Sequence, residues 1–128
     1  MVIHKERGSE MVVNQIFYNV KSGVDTSETD RLWEEIAIPI YKKIPGLLAT
    51  YTLKCTGVSG IPGTDSSFKW DYVFVEVWES EEAAKNSLGK FIGLGDSELG
   101  RTGIYEKVLA TFDKYALSFF EVISSMEK

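Results

Sequence analysis

The sequence contains one cysteine, Cys55, and one histidine, His4. A single cysteine cannot form an intrachain disulfide, and it cannot build a thiolate metal cluster. The histidine lies in a charged N-terminal segment, outside the segments predicted to fold. Ser-His-Asp catalysis and most metalloenzyme schemes need imidazole inside the folded body, so both are excluded. We therefore expect no cofactor.

Positive charge and long apolar runs are also scarce. Lys and Arg number 14 against 19 Asp and Glu, giving a net charge of −5. A nucleic-acid partner is not expected, because phosphate binding needs a basic surface. No apolar run reaches the roughly 18 residues of a membrane span, and residues 1–10 lack the apolar segment of a signal peptide. These absences predict a cytoplasmic protein without a membrane partner.

The length and composition are those of one globular domain. The chain has 128 residues, of which 44% are hydrophobic and 26% charged. Residues 1–10 show no apolar period, and we interpret them as a flexible N-terminal arm. Residues 11–128 are assigned to a single domain.

Apolar periodicity predicts four strands and three helices. Segments rich in β-branched and aromatic residues indicate strands over residues 11–20, 47–58, 71–78 and 115–123. Apolar residues three and four apart indicate helices over residues 27–44 and 80–88, and a shorter one from Ile104. The order β-α-β-β-α-(loop-α)-β is the split βαβ arrangement of ferredoxin-like folds. The predicted class is α+β, with a four-stranded antiparallel sheet.

Local signals lead to more detailed expectations about the helices and the loop between them. Ser27 or Thr29 can cap the first helix, and Pro39 should kink it because proline lacks a backbone donor. Residues 89–103 carry five glycines without a clear period. We interpret this segment as an ordinary surface loop, with a flexible lid over a pocket as the alternative.

The strand faces predict self-association. Both faces of the first strand are mostly apolar, which suits a sheet covered on both sides. Three short helices in one subunit cannot cover both faces, so a homodimer is expected. The second strand alternates cleanly, with residues 47, 49, 51, 53 and 55 on one face, and is expected at a sheet edge or a subunit interface.

Three segments together resemble a known family. They are the opening strand with Asn14, KKIPGLLATYTLK at residues 42–54, and DYVFVEVWESEEAAKNSL at residues 71–88. Their order and spacing are similar to antibiotic-biosynthesis-monooxygenase-like proteins of the dimeric α/β-barrel superfamily, over residues 11–123 with insertions near 57–69 and 89–103. The resemblance implies a homodimer with a barrel-like core and a pocket between sheet and helices in each subunit. Members include cofactor-free oxygenases acting on electron-rich phenols, haem-degrading oxygenases and isomerases.

The resemblance also implies site residues. Asn14 and Trp78 occupy positions similar to an asparagine and a tryptophan that line the pocket of the haem-degrading branch. That branch binds iron through a histidine on the second helix, and residues 80–95 contain none, so haem degradation by that mechanism is not expected. An amide in an apolar face needs a hydrogen-bond partner, which a ligand can supply. The alternative is that Asn14 bonds backbone or water and that Trp78 belongs to the core.

Glu76 and Cys55 each have two interpretations. Glu76 shares a strand face with Phe74 and Trp78, and is either a general base with a raised pKa or the partner of a cation such as Lys54. We favour the ion pair. Cys55 is expected to be a buried small hydrophobe rather than a nucleophile, because no histidine can activate it.

Aromatic residues at helix and strand spacing are candidates for a pocket wall. They are Tyr18, Trp33, Tyr41, Tyr51 and Phe74, with ordinary core packing as the alternative. The leading hypothesis is a homodimer that binds a small apolar or aromatic molecule and oxygenates it without a cofactor, with Asn14, Tyr51 and Trp78 binding the substrate anion. The alternatives are a non-catalytic ligand-binding or stress-related protein, a haem-handling protein lacking the usual axial histidine, and an isomerase or decarboxylase with Glu76 as base.

Overall fold

Four antiparallel strands form one sheet. The structure is a computed structural model that describes residues 11–57, 62 and 69–126; the arm assigned to residues 1–10 and most of the insertion at 57–69 lie outside it. The sheet has the order β2-β3-β1-β4, and its strands are β1 Val12–Val20, β2 Leu47–Lys54, β3 Tyr72–Trp78 and β4 Phe112–Glu121. This order and the antiparallel pairing confirm the predicted α+β, ferredoxin-like class.

Helices cover one face of this sheet. They are α1 Ser27–Leu32, a π-helical turn Trp33–Ala37, α2 Ile38–Lys42, α3 Glu81–Ser87, a second π-helical turn Leu88–Ile92, a 3₁₀ turn Gly100–Thr102 and α4 Ile104–Leu109. Their buried residues pack on Phe74 and Trp78 of β3 to form the hydrophobic core. None of the helices in the described residues has the length and apolar character needed to cross a membrane.

The first helical stretch begins differently from the sequence expectation. Thr26 occupies its N-cap position without a side-chain cap, and the Asp25 carboxylate accepts the Ser27 N–H instead, at 2.9 Å. The prediction that Ser27 or Thr29 caps the helix is therefore wrong. A kink at Pro39 stays a prediction; the chain before it forms a π-helical turn, in which the Ile38 N–H bonds the Trp33 carbonyl. This wider turn lies just before Pro39, which has no backbone N–H to donate.

The start of α3 follows the sequence signal. Ser80 is its N-cap residue, and its hydroxyl oxygen accepts the Ala83 N–H at 3.0 Å. This bond satisfies one of the free N–H groups that open every helix. The predicted start of the second helix is confirmed.

The β2 strand lies at an edge of the sheet, as expected, but its register shifts between Leu47 and Ala49. Leu47 is opposite Trp78 on the helix-covered face. Beyond the bulge, Ala49, Tyr51 and Leu53 lie on the opposite face of the sheet. The expectation of one continuous apolar face along β2 is therefore wrong. Cys55, just beyond the strand, is exposed rather than buried.

The glycine-rich segment 89–103 is part of the core. Leu99 is 0% exposed, and Ile92 and Ser97 are buried with it. The Gly100 N–H donates to the Ser97 hydroxyl oxygen at 3.0 Å. The interpretation as a surface loop is therefore wrong. Ile92 and Leu99 are buried although the apolar residues of the segment follow no helix or strand period, whereas Leu94 is 63% exposed.

The face of the sheet opposite the helices is apolar and open in the single chain. Its residues, identified by strand register, are Val13, Gln15, Phe17, Ala49, Tyr51, Leu53, Val73, Val75, Val77, Ala116, Ser118 and Phe120. Tyr51, Leu53 and Phe120 are each about half exposed. We call this surface the open face.

Candidate functional site

A row of four side chains crosses the helix-covered side of the sheet. Thr50, Glu76, Asn14 and Phe119 are directly opposite one another on β2, β3, β1 and β4, and opposed residues share a face. The Asn14 amide donates to Glu76 Oε1 at 2.8 Å. Glu76 is 2% exposed and Asn14 is 5% exposed. The register therefore brings together a buried carboxyl and a buried amide that lie 62 residues apart.

Glu76 does not form the ion pair favoured from the sequence. Lys54 is opposite Tyr72 on the exposed end of β2, and none of the ion pairs among the described residues includes Glu76. Glu76 is opposite Thr50, four positions from Lys54 along β2. The Glu76 carboxyl lies in the interior instead. Its role as a general base, the alternative interpretation, stays a prediction.

Burial raises the pKa of Glu76, because removing a carboxylate from water disfavours its charged form. The Asn14 amide bonds the carboxylate and lowers the pKa in part by stabilising the charge. The nearby Tyr41 hydroxyl and Trp78 N–H act in the same direction, the Trp78 N–H without reaching hydrogen-bonding geometry. The net shift is upward. A carboxylate with a raised pKa is a stronger proton acceptor than an exposed one, and such groups are typical of general bases.

Two tyrosines from the helical layer complete the polar cluster. The hydroxyl of Tyr41, on α2, lies 3.0 Å from that of Tyr105, on α4. Tyr41 is 4% exposed, and burial followed by the negative charge of Glu76 raises its pKa well above the usual value. Sequence reasoning missed Tyr105, although it directly follows Ile104 at the start of the predicted third helix and is an aromatic residue with a polar end.

Three of the aromatic residues expected in a pocket wall meet beside this cluster. The ring centroid of Trp33 lies 5.7 Å from that of Tyr41 and 5.3 Å from that of Phe74. Tyr18 lies farther along the same face, stacked between Tyr72 and Phe112, and burial raises its pKa to about 12. Tyr51 lies on the open face and is not brought together with the others.

Two buried polar atoms of the site lack a hydrogen-bond partner among the described residues. They are Asn14 Oδ1, an acceptor, and Trp78 Nε1, a donor. Unpartnered buried polar atoms are uncommon because each carries an uncompensated desolvation cost. A bound donor would satisfy Asn14 Oδ1 and a bound acceptor would satisfy Trp78 Nε1; a hydroxyl can serve in either role.

An apolar strip leads to this cluster along the helix-covered side of β4. Its members Tyr115, Leu117 and Phe119 lie opposite Tyr18, Ile16 and Asn14 of β1. Each of the three side chains is more than half exposed, and the exposed fraction of Phe119 is 60%. This strip is therefore a surface on which an apolar molecule can pack with one end at Asn14.

A surface cavity lies apart from Glu76. It has a volume of about 330 Å³ and lies at the start and outer side of α3, where it is lined by Pro45, Glu79, Asn86, Lys90 and Phe91 among others. In the described part of the chain, no group of three or more His, Cys, Asp or Glu residues is arranged to hold a metal ion. The buried polar cluster around Glu76 is therefore the candidate site.

Comparison with known proteins identifies the fold. No protein-family model and no curated protein sequence matches the chain. SnoaB, a cofactor-independent oxygenase from Streptomyces nogalater, matches with a TM-score of 0.59 and 14% identity over 94% of this chain and 99% of its own. The hydroxynitrile lyase of Passiflora edulis matches with a TM-score of 0.60 and 10% identity, over 93% of this chain and 99% of its own. A dimeric ferredoxin-like protein of unknown function from Thermobifida fusca matches with a TM-score of 0.60 and 9% identity, over 93% of this chain and 97% of its own. At these identities the likeness concerns the fold, and the chain has the ferredoxin-like fold that these proteins share.

Proposed function

We propose that the chain is a cofactor-independent monooxygenase that acts on an aromatic or phenolic substrate. The observation that carries this proposal is the buried carboxyl of Glu76, bonded to Asn14 and accompanied by the unpartnered Asn14 Oδ1 and Trp78 Nε1. A base in a dry apolar setting, next to one free donor and one free acceptor, suits removal of a proton from a hydroxyl-bearing ring.

Each residue of the cluster has a role in this proposal. The Glu76 carboxylate accepts the proton of the acidic group of the substrate, and the Trp78 N–H donates to the oxygen anion that forms. Asn14 Oδ1 accepts from a neighbouring hydroxyl and orients the ring. The electron-rich anion then reacts with dioxygen; at an activated ring CH₂, one oxygen atom is retained as a carbonyl and the other leaves as water.

The substrate ring packs on the apolar strip of β4. Phe119 lies directly opposite Asn14 in the register, so a planar molecule lying on the strip has one end at the amide. Trp33 and Phe74 lie on the inner side of the same cluster. Burial of flat apolar surface supplies most of the binding energy, and the polar atoms supply orientation.

A second candidate is a proton-transfer reaction without oxygen, catalysed by a lyase or isomerase with Glu76 as base. The same buried carboxyl supports it, and one protein of this fold is a hydroxynitrile lyase, whereas another is a cofactor-independent oxygenase. The two candidates differ in one requirement. The oxygenase consumes substrate only with dioxygen, and the lyase or isomerase turns over under argon.

Oxygen uptake tests the proposal. The purified protein is incubated with a panel of anthrones, hydroquinones and polycyclic phenols, and dissolved oxygen is followed with an electrode. We expect uptake above the autoxidation rate for at least one substrate, with one dioxygen consumed per substrate and no hydrogen peroxide. Substrate loss under argon would favour the second candidate. No turnover in either condition across the panel would contradict both.

We also propose that the chain forms a homodimer through the open face. This face is apolar along all four strands, and three of its large side chains are about half exposed. An apolar surface of this extent is rarely left uncovered in a monomer. One protein of the same fold is described as dimeric, and pairing of two open faces would bury both surfaces at once.

Charge placed on the open face should prevent this association. Leu53→Asp combined with Phe120→Asp puts two carboxylates into the proposed interface, where each loses its hydration. We expect sedimentation to give twice the mass of one chain for the unmodified protein, and the mass of one chain for the double variant at micromolar concentration. Thr52→Asp, on the other side of the same strand, is the matched control and should remain dimeric. A monomeric unmodified protein would overturn the proposal.

A further inference from the structure

The burial of Glu76 raises the question of how its proton exchanges with water. The carboxyl is 2% exposed and lies under the helical layer. We propose that the hydroxyls of Tyr41 and Tyr105 form a relay that carries a proton between Glu76 and the surface near α4. The relay itself is a property of the free protein; its role in turnover rests on the proposed function.

The geometry of the two tyrosines suits a relay. Tyr41 projects from α2 into the core, where its ring lies 5.9 Å from that of Phe74, two residues before Glu76 on the same strand face. Its hydroxyl lies 3.0 Å from that of Tyr105. Tyr105 lies near the start of α4 and is only partly buried, whereas Tyr41 is 4% exposed. The pair therefore leads from the interior toward the surface through two oxygen atoms at hydrogen-bonding distance.

Neither Trp78 nor Asn14 can perform this exchange. The Trp78 indole N–H only donates, and the Asn14 amide does not readily take up or release protons. Among the described residues no ion pair brings a cation to Glu76. Two hydroxyls near Glu76 can donate and accept at the same time, that of Tyr41 and that of Thr50, which is opposite Glu76 on β2. Of these, the Tyr41 hydroxyl is the one at hydrogen-bonding distance from a second hydroxyl, that of Tyr105.

The transfer needs no charged tyrosine. The Glu76 carboxyl gives its proton to the Tyr41 oxygen while the Tyr41 hydroxyl proton moves to the Tyr105 oxygen, and the Tyr105 proton passes to water. The carboxylate is regenerated, and both tyrosines end neutral. Burial raises the pKa of both tyrosines, which disfavours their anions and favours this concerted shift.

Exchange of the Glu76 proton for deuterium tests the relay without any substrate. The protonated carboxyl is followed by infrared spectroscopy after transfer into deuterated water, with its band assigned by its loss in Glu76→Gln. We expect exchange to slow by about 10-fold or more in Tyr105→Phe, because the chain of oxygens is interrupted. Tyr41→Phe should slow it similarly. Tyr72→Phe, another partly buried tyrosine on the same side of the sheet, should exchange at the unmodified rate.

The outcomes separate the relay from the proposed function. Unmodified exchange in Tyr105→Phe would overturn the relay, and because Tyr105 is only partly buried this variant should fold even if Tyr41→Phe does not. Once a substrate is known, Tyr105→Phe should lower kcat by about 10-fold with little change in KM and should raise the solvent deuterium isotope effect. Slowed exchange together with an absence of turnover would support the relay while contradicting the proposed function.

Discussion

Glu76→Gln is expected to lower kcat/KM for the oxygen-consuming reaction by about 10²–10⁴-fold. The glutamine side chain has nearly the same shape, and its carbonyl oxygen can still accept the Asn14 amide proton. It cannot take a proton from the substrate, so the reaction loses its base while the packing is retained. Initial rates of oxygen uptake at several substrate concentrations measure the loss, and circular dichroism confirms that the fold is kept.

The pH profile provides an independent check on the same residue. Only the ionised carboxylate is a base, so kcat/KM should rise with pH through the pKa of Glu76 and level off above it. Burial raises this pKa, so the rise should be centred at a higher pH than the titration of an exposed glutamate. The titratable groups that face Glu76 are Tyr41 and Tyr105, whose raised pKa values leave them neutral over this range.

The matched control is Glu79→Gln, which changes an exposed glutamate three residues away. It should keep both the rate and the pH profile of the unmodified protein. If Glu76→Gln also kept them, Glu76 would not be the base, and the proposed mechanism would be wrong.

Gly100→Ala is expected to lower the free energy of unfolding by about 2–3 kcal/mol or more. A Cβ atom at this position would lie 2.6 Å from both the Gly93 carbonyl oxygen and the Ser97 hydroxyl oxygen, and 2.8 Å from the Leu94 carbonyl carbon. Two of these three atoms belong to the backbone, so relief requires the segment itself to shift. Such a shift would disturb the neighbouring Leu99, which is fully buried.

Gly89→Ala is the matched control for this substitution. A Cβ atom at Gly89 would meet nothing within 4 Å, and the residue lies in the π-helical turn Leu88–Ile92. Alanine is favoured over glycine in helices, so this variant should be neutral or stabilised by up to about 1 kcal/mol. Urea denaturation of both variants measures the difference. Equal stability of the two would contradict the packing argument for Gly100.

The elements with strong apolar periods could be predicted from the sequence. The four strands fall within a few residues of their predicted bounds, and Ser80 begins its helix as its hydroxyl predicts. The segment around Leu99 and Gly100 could not be predicted, because irregular chain packs its apolar residues without a period. The register shift in β2 could not be predicted either, since alternation alone does not reveal a bulge.

The residues of the candidate site could be predicted better than the contacts among them. Asn14, Glu76 and Trp78 stood out as polar or large residues within strand faces, but the bond between Asn14 and Glu76 depends on the register of β1 against β3. The sequence favours an ion pair of Glu76 with a cation at the sheet edge such as Lys54, but it does not show the register that places Lys54 opposite Tyr72. Tyr105 could not be identified, because its contact with Tyr41 depends on how α4 packs against α2. The spacing of residues along the sequence does not show that packing.

The two residues at the centre of the site lie on the two interior strands of the sheet. β1 is hydrogen-bonded to β3 and β4, and β3 is hydrogen-bonded to β1 and β2. Amides of interior strands exchange with solvent mainly through global unfolding, whereas edge strands and short helices open locally at lower free energy. We therefore expect native-state fluctuations to leave the spacing of Asn14 and Glu76 unchanged, and the motions that would admit the proposed substrate to occur in β4 and in the helices above it.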